Sequence, residues 1–292
     1  MSDGKHDLAY FQDLWAARGF SPVSHSPEIW DERAKDWISE LGPDGEGKDD
    51  MRARVAATAA YLRGRGLLGR GDTVADVGCG PGLFVNEFAR TAKHATGMDY
   101  ARRFLDYGAA QSKAAGLTNT SFTQCDFLAL DVDAAGLAGA FDLVFTSITP
   151  AASGAGCLEK LIRMSRAYCY NASFVYARDD LAERVARDVF GAEHKSRWDG
   201  AGFYALLNLL WLSGYYPETY YYTDARDEII EPTPENASEC ALNCGRDASE
   251  DAARVLEYLR RQDGEIRRRS EYRYGSVLWD VRVRHTRVTN AG

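Results

Sequence analysis

Residues 73–82 read TVADVGCGPG, and this stretch decides the expected fold. It begins with an apolar run typical of a buried strand, which leads into an acidic residue, Asp76. Three glycines follow at alternate positions, Gly78, Gly80 and Gly82, and a helical pattern begins behind them. Glycine accepts positive φ and lets a ligand approach the main chain, while the next helix offers unpaired N–H groups. The stretch predicts a strand, a tight turn and a helix, which form either a plain connection or a nucleotide cradle.

Short apolar stretches alternate with helical patterns after this turn. Strands are predicted at residues 73–77, 95–98, 120–124, 141–146 and 167–177. Helices are predicted at residues 83–92, 101–115, 158–167 and 181–190. Such alternation implies a mostly parallel sheet with helices on both faces. The predicted fold is therefore α/β and doubly wound, and ligands in such sheets lie beyond the carboxyl ends of the strands.

The flanking segments are rich in aromatic and apolar residues. Residues 1–41 contain two short helical patterns, which either pack on the main domain or form a lid, and residues 42–50 have the composition of a hinge loop. Residues 194–216 predict a very apolar helix, either buried or capping a substrate pocket. Further on, the patterns predict a strand at 217–223, a polar irregular segment at 224–245, a helix at 252–259 and a last strand at 277–283.

Composition and charge limit the partners. The chain has 292 residues, 45% of them hydrophobic, and a net charge of −8. The charge disfavours nucleic acid, because binding phosphates needs clustered Lys and Arg. Residues 265–287 carry seven Arg against three acidic residues, a local charge of 7 − 3 = +4 that we interpret as a solvated strand face. No apolar run reaches the roughly 18 residues of a membrane span, so no membrane partner is expected.

The six cysteines favour a reducing setting. Cys79 and Cys125 lie at predicted strand ends, where a disulfide would be awkward, and no secretory leader is seen. A cytoplasmic location is therefore expected. Cys240 and Cys244 have the spacing of half a metal site, but no second Cys or His pair stands nearby. We interpret them as free thiols and expect no metal.

Distinctive residues end the second, third and fourth strands. Asp99 follows Asp76 by 23 residues, where a carboxylate can accept both hydroxyls of a ribose. Asp126 can accept from an exocyclic amine while Phe127 covers the face of a base. Each Asp alone is more readily explained as a helix cap or a solvated turn. Their order along the chain favours a site shaped for a nucleoside.

At these residues the sequence resembles the Rossmann-like (class I) S-adenosylmethionine-dependent methyltransferases. The resemblance covers about residues 51–180 and the last strand, and it rests on DVGCGPG (76–82), GMDY (97–100), CDF (125–127) and FDLVFTS (141–147). It implies a seven-stranded sheet with an antiparallel last strand. It also implies one domain over 1–292, with a helical lid and loop (1–50), a cofactor-binding core (51–190), an apolar cap (191–216) and C-terminal elements (217–292).

The resemblance also implies the cofactor, S-adenosylmethionine, and the residues that hold it. Asp76 and the three glycines take the place that handles the methionyl part. Asp99 would hold the ribose with Tyr100 beside it, and Asp126 with Phe127 would recognise adenine. The remaining residues expected to bind the cofactor are Cys79 and Thr146. The segment WDERAKDW (30–37) is similar to one that closes over the cofactor in small-molecule members.

Other readings stay open at this stage. A dinucleotide-binding dehydrogenase would want Gly or Ala where Leu83 stands. TSITP at 146–150 lacks the signature of amino-methylating nucleic-acid enzymes. A non-catalytic cofactor-binding protein and an aminopropyl transferase are the remaining alternatives.

The methyl acceptor is expected to be a small molecule enclosed by the aromatic segments. The candidate pocket residues are Trp30, Arg33, Trp37, Asn208 and Trp211. No catalytic base is identified; His25 and His194 are weak candidates by position, and each is more readily explained as a structural or surface histidine. The sequence leaves the nucleophile and the oligomeric state open.

Overall fold

A computed structural model describes residues 7–17, 26–41, 49–154, 156–196 and 199–285. The predicted hinge loop at 42–50 falls mostly outside these described residues. The described helices, in chain order, are α1 Leu8–Ala16, α2 Pro27–Glu40, α3 Asp49–Gly64, α4 Leu83–Ala89, α5 Arg102–Ala114, α6 Cys157–Met164, α7 Asp180–Phe190, α8 Ala201–Leu212, α9 Pro234–Asn243 and α10 Ala248–Arg260.

The described strands form one seven-stranded sheet. They are β1 Thr73–Val77, β2 His94–Asp99, β3 Thr120–Gln124, β4 Phe141–Ser147, β5 Ser165–Asp179, β6 Glu218–Ile230 and β7 Ile266–Asp280. Their order is β3-β2-β1-β4-β5-β7-β6, and the pairs from β3 to β5 are parallel. The final strands are antiparallel. The predicted Rossmann-like sheet is confirmed, including its antiparallel last strand.

The parallel register brings the carboxyl ends of β1 and β2 together. Asp76 on β1 pairs with Gly97 on β2, two residues before Asp99. β4 lies on the other side of β1, where Phe145 pairs with Asp76. The crossover between β3 and β4 places the switch in strand order at β1, so its carboxyl end is where this fold binds ligands.

The chain divides into two compact units. Unit 1 comprises residues 1–173, 202–220 and 276–292, and unit 2 comprises residues 174–201 and 221–275. The core of unit 1 contains stacked aromatic rings: Phe145 lies 4.8 Å from Tyr170 and 4.7 Å from Phe84, between ring centroids. Burial of such side chains is the main favourable term in folding. The prediction of a single domain over 1–292 stays a prediction.

Unit 2 has its own core. Residues of α7, α9, α10 and β7 form an apolar cluster that includes Leu181, Val255 and Leu259. Arg268 on β7 is also buried, and its guanidinium binds the Asp179 carboxylate at 2.8 Å and Glu239 at 2.8 Å. A buried charge needs such partners, because its desolvation is costly.

Several predicted boundaries are wrong. Residues 224–245 are not irregular, because β6 continues to Ile230 and α9 follows. The helix predicted to end at 167 stops at Met164, and β5 begins at the next residue. The helix predicted over 194–216 is confined to 201–212. The last strand begins at Ile266 and ends at Asp280, since Arg268 and other polar residues of its first half are buried by partners distant in sequence.

Candidate functional site

The glycine turn after β1 has the backbone expected from its sequence. Gly78, Gly80 and Gly82 all have positive φ, at 72°, 51° and 79°. Gly82 precedes the first residue of α4, and a Cβ there would lie 2.7 Å from the Phe122 ring. A Cβ on Gly80 would meet no atom of the described residues within 4 Å. Gly82 is thus required by packing as well as by φ, whereas Gly80 leaves its main chain open to approach.

Hydrogen bonds hold the turn against the end of β2. The N–H groups of Gly78 and Cys79 donate to the Met98 carbonyl, at 2.7 and 3.1 Å. The N–H of Gly80 donates to Asp99 Oδ2 at 2.8 Å. The glycine turn and Asp99, predicted separately from sequence, are therefore one hydrogen-bonded structure.

Asp99 lies at the start of α5 and accepts main-chain donors on both oxygens. Its Oδ1 accepts from the N–H of Ala101 at 2.9 Å. Burial raises the pKa of Asp99, while the N–H donors of Ala101, Gly80 and Tyr100 oppose the rise, and the charge of Asp31 adds to it. These donors fix the carboxylate in one orientation at the rim of the sheet.

Asp76 is the most unusual polar group of the site. It is 3% exposed, and its Oδ2 has no hydrogen-bond partner among the described residues. Burial, and then the charge of Asp99, raise the pKa of Asp76 well above its usual value. An unpaired buried polar atom costs about 1–3 kcal/mol. A cationic hydrogen-bond donor placed here would relieve both the unpaired oxygen and the repulsion from Asp99.

The end of β3 supplies the next predicted residues. Asp126 Oδ1 accepts the N–H groups of Leu128 and Ala129, at 3.0 and 3.3 Å, so the carboxylate also closes a local turn. Phe127 is buried, at 3% exposed. Burial raises the pKa of Tyr100, and the nearby charges of Asp126 and Glu28 add to the effect.

At the end of β4, Thr146 is buried, and its expected role in cofactor binding stays a prediction. Its side chain has no exposed surface, and its Oγ1 donates to the Tyr170 carbonyl at 3.2 Å and accepts from Asn171 Nδ2 at 2.7 Å. In this conformation Thr146 joins β4 to β5 inside the sheet. The next residue, Ser147, accepts instead from Arg54 of α3 at 3.3 Å.

The loop after β4 lies over the glycine turn. A Cβ on Gly78 would fall 2.2 Å from Thr149 Oγ1, so the Thr149 side chain occupies the space directly above Gly78. Ile148, just before it, has φ 51°, which is an outlier for a β-branched residue. This contact was not predictable from the sequence, because it depends on how the loop folds back.

Helix α2 packs against α5 at the same rim. Asp31 Oδ1 accepts the N–H of Arg103 in the first turn of α5, at 2.9 Å. The Trp37 and Phe104 rings are 6.2 Å apart, and Trp30 packs on the same small apolar cluster. Arg33 lies over the Trp30 ring at 5.0 Å, and Trp37 is 52% exposed. Helix α2, which was expected to form an aromatic lid, therefore lies next to the start of α5, close to Asp99. Asp31 makes this contact, and the sequence alone indicated no role for it.

The remaining predicted residues have partners of their own or fall outside the described residues. His25 is outside the described residues. His194 belongs to unit 2, where its Nε2 is 3.0 Å from the Asn243 carbonyl. Asn208 Nδ2 donates to the Tyr204 carbonyl one turn earlier in α8, at 2.7 Å, and Trp211 is 53% exposed and packs on Tyr216. Substrate roles for Asn208 and Trp211 stay predictions.

Neither a candidate metal site nor a membrane-spanning helix is found among the described residues. No group of three or more His, Cys, Asp or Glu side chains there is arranged to hold a metal ion. A depression of about 380 Å³ lies between α5 and β3, lined by residues such as Lys113 and Thr118, and it contains none of the predicted site residues. No helix in the described part of the chain could cross a bilayer.

Comparison with known families identifies the segment that carries the site. Residues 74–167 match the family model described as a methyltransferase domain. This segment is a Rossmann-like methyltransferase domain. It begins on β1 and ends on β5, so the match includes the glycine turn and the ends of β2, β3 and β4. The family predicted from sequence is confirmed. No curated protein matches the chain in sequence.

Solved structures show the same fold at low identity. A protein of Bacillus halodurans C-125, provisionally described as a methyltransferase, is 14% identical with a TM-score of 0.50, covering 77% of this chain and 99% of its own. The YcgJ protein of Bacillus subtilis is 10% identical with a TM-score of 0.51, covering 79% and 100%. A SAM-dependent methyltransferase of Aquifex aeolicus is 14% identical with a TM-score of 0.46, covering 86% and 98%. At these identities the first two matches concern the fold alone.

Proposed function

We propose that this protein uses S-adenosylmethionine to methylate a small-molecule acceptor. The observation that carries the proposal is the buried Asp76, whose unpaired Oδ2 lies at the end of β1 beside Asp99 and the glycine turn. A site with two adjacent carboxylates and an open main chain at Gly80 suits a ligand with a cationic end and a ribose. S-adenosylmethionine has both.

The residues of the rim fit the parts of that cofactor. Asp76 would accept from the α-ammonium group, and the open main chain of Gly80 would lie along the methionyl chain. Asp99 would accept from the ribose hydroxyls, since its orientation is fixed by N–H donors at Gly80 and Ala101. Asp126 and Phe127 would meet the adenine. Thr149 occupies the space above Gly78, so its loop is the element that adjusts when the cofactor enters.

Methyl transfer requires mainly alignment from the protein. The bound cofactor supplies an electrophilic methyl group on a sulfonium. Holding an acceptor in line with it can contribute roughly 7–11 kcal/mol toward lowering the barrier. The rigid parts of the site are the hydrogen-bonded turn and the start of α5, where Asp99 and Asp31 accept the N–H groups of Ala101 and Arg103. No described side chain is assigned as a general base.

The aromatic residues of α2 and the net charge of the chain both support a small-molecule acceptor. The α2 aromatic residues Trp30 and Trp37 pack next to the Asp99 rim, where they can shield a bound molecule from water. The net charge of −8 disfavours a polyanionic acceptor. We also propose a cytoplasmic location, which the six free cysteines support.

Calorimetric titration tests the cofactor assignment. S-adenosylhomocysteine should bind with a stoichiometry of about one, while NAD should give no saturable heat. Binding of NAD alone would overturn the proposal in favour of a dehydrogenase.

A labelling experiment tests the acceptor class. The protein is incubated with methyl-labelled S-adenosylmethionine and separate pools of small metabolites, protein and nucleic acid. Label is expected in the small-metabolite pool. Label confined to protein or nucleic acid would contradict the acceptor class, and no transfer to any pool would favour a non-catalytic binding protein.

A further inference from the structure

Lys160 on α6 reaches the main chain that follows β3. Its Nζ donates to the carbonyls of Phe127 and Leu128, at 3.1 and 2.6 Å. The same Nζ lies 5.9 Å from the centroid of the Phe127 ring. One ammonium group therefore contacts two carbonyls and one aromatic face of a single short segment.

Asp126 binds two main-chain N–H groups of the same segment. Its carboxylate accepts the N–H groups of Leu128 and Ala129, as described above. Two main-chain donors of residues 126–129 are thus held by an anion, and two of the carbonyls by a cation. Charge-assisted hydrogen bonds of this kind are stronger and more directional than neutral ones. Residues 126–129 are fixed in one conformation, and we call them the β3 loop.

The position of Lys160 in α6 is unfavourable for the helix itself. It is the fourth residue of α6, close to the positive end of the helix dipole. A cation at this end is disfavoured unless it has other partners. The two carbonyls and the ring supply them, which explains why a lysine is stable at this position.

We propose that Lys160 is a positioning residue for recognition of the adenine base. By holding the Phe127 and Leu128 carbonyls, it sets the direction of the Asp126 carboxylate and the depth of the Phe127 ring. The β3 loop then discriminates a purine that carries a 6-amino group from one that does not. This inference rests on the proposed function, because it assigns the β3 loop to the adenine of S-adenosylmethionine.

The test compares two ligands and a series of variants. Calorimetry gives the dissociation constants of S-adenosylhomocysteine and of S-inosylhomocysteine, in which a 6-oxo group replaces the 6-amino group. Lys160→Met keeps the apolar stem and removes the donors. Arg163→Met, one turn later, is the matched control, since Arg163 forms an exposed ion pair with Asp133 at 2.6 Å.

The expected result is a change in the ratio of the two constants. The wild type and Arg163→Met should prefer S-adenosylhomocysteine by the same factor, and Lys160→Met should reduce that preference at least fivefold. Lys160→Gln keeps one donor and should give an intermediate ratio; it decides the question if the Met variant does not fold. A merely structural role would lower the melting temperature and leave the ratio unchanged.

Two negative outcomes are distinguishable. If the wild type binds S-adenosylhomocysteine and the Lys160 variants keep the full preference, the positioning role is overturned and the proposed function stands. If the wild type binds neither ligand, both proposals are overturned.

Discussion

The main-chain N–H of Gly80 donates to Asp99 Oδ2 at 2.8 Å, which joins the glycine turn to the end of the neighbouring strand. Gly80 lies at the open point of the turn, and Asp99 is the carboxylate expected to hold a ribose. Because one hydrogen bond links them, the two halves of the proposed cofactor site have a fixed separation.

Replacing Asp99 should disable cofactor binding without unfolding the protein. Asp99→Asn keeps the size of the side chain but loses the charge and one acceptor. We expect the affinity for S-adenosylhomocysteine to fall more than about tenfold, or roughly 1.4 kcal/mol. Asp106→Asn is the control on the same helix, because Asp106 forms only an exposed pair with Arg102. Equal affinities for both variants in calorimetry would place the ribose elsewhere.

The raised pKa of Asp76 predicts how stability changes with pH. The folded state favours protonated Asp76, so it binds more protons than the unfolded chain from about pH 4 up to the raised pKa. Stability should therefore fall as pH rises through that window. Asp76→Asn removes this dependence, so it should raise the melting temperature of the ligand-free protein more at pH 7.5 than at pH 5.

Asp142 provides the control of opposite sign. Hydrogen bonds from Arg166 lower the pKa of Asp142 to about 2. The stabilisation that ionised Asp142 contributes to the fold is present above about pH 4, the pKa of Asp in the unfolded chain. It is lost as the pH falls toward 2. Asp142→Asn should therefore lower the melting temperature at pH 7.5, with a difference that shrinks in acid. If Asp76→Asn raised the melting temperature equally at both pH values, Asp76 would not be a buried carboxyl with a raised pKa.

Gly82 should tolerate alanine less well than other glycines with positive φ. Alanine costs about 1–2 kcal/mol at such a φ, and at Gly82 its Cβ would also collide with Phe122. At Gly116 φ is 69°, but a Cβ would meet no atom of the described residues within 4 Å. Urea denaturation should show a loss for Gly82→Ala that exceeds the loss for Gly116→Ala by about 1–3 kcal/mol. Equal losses would mean that the turn relaxes freely.

The buried ion pair of unit 2 should be sensitive to loss of one partner. Arg268→Met leaves the Asp179 carboxylate buried without its guanidinium, which should cost about 3–5 kcal/mol. Arg267→Met alters a side chain that is 82% exposed, and it should change stability by less than about 0.5 kcal/mol. Denaturation followed by circular dichroism measures both. A small effect at Arg268 would indicate that water reaches Asp179 when the arginine is removed.

Local signals were enough to predict the centre of the site. The spacing of Gly78, Gly80 and Gly82 and the acid at the end of the next strand predicted a turn and a carboxylate that the structure joins directly. The turn depends on positive φ and the carboxylate on the pairing of neighbouring strands. Short sequence patterns indicate both, because glycines favour positive φ and apolar runs form strands. The parallel sheet was predictable for the same reason.

Contacts between distant residues were not predictable. Asp31 binds the N–H of Arg103, 72 residues away, and Arg268 is buried through Asp179, 89 residues away. Residues 265–287 were interpreted as a solvated strand face, and the burial of Arg268 within them was not predictable because it depends on Asp179. No sequence motif marks Lys160 either, because it binds main-chain carbonyls, which every residue has.

The crystal structure of the complex with S-adenosylhomocysteine tests the central claim most directly. The account predicts the ligand at the carboxyl end of β1, with its amino group hydrogen-bonded to Asp76 and its ribose hydroxyls to Asp99. Asp76 Oδ2 would then have a partner. A ligand bound elsewhere, or bound here with Asp76 still unpaired and Asp99 not in contact with the ribose, would contradict it.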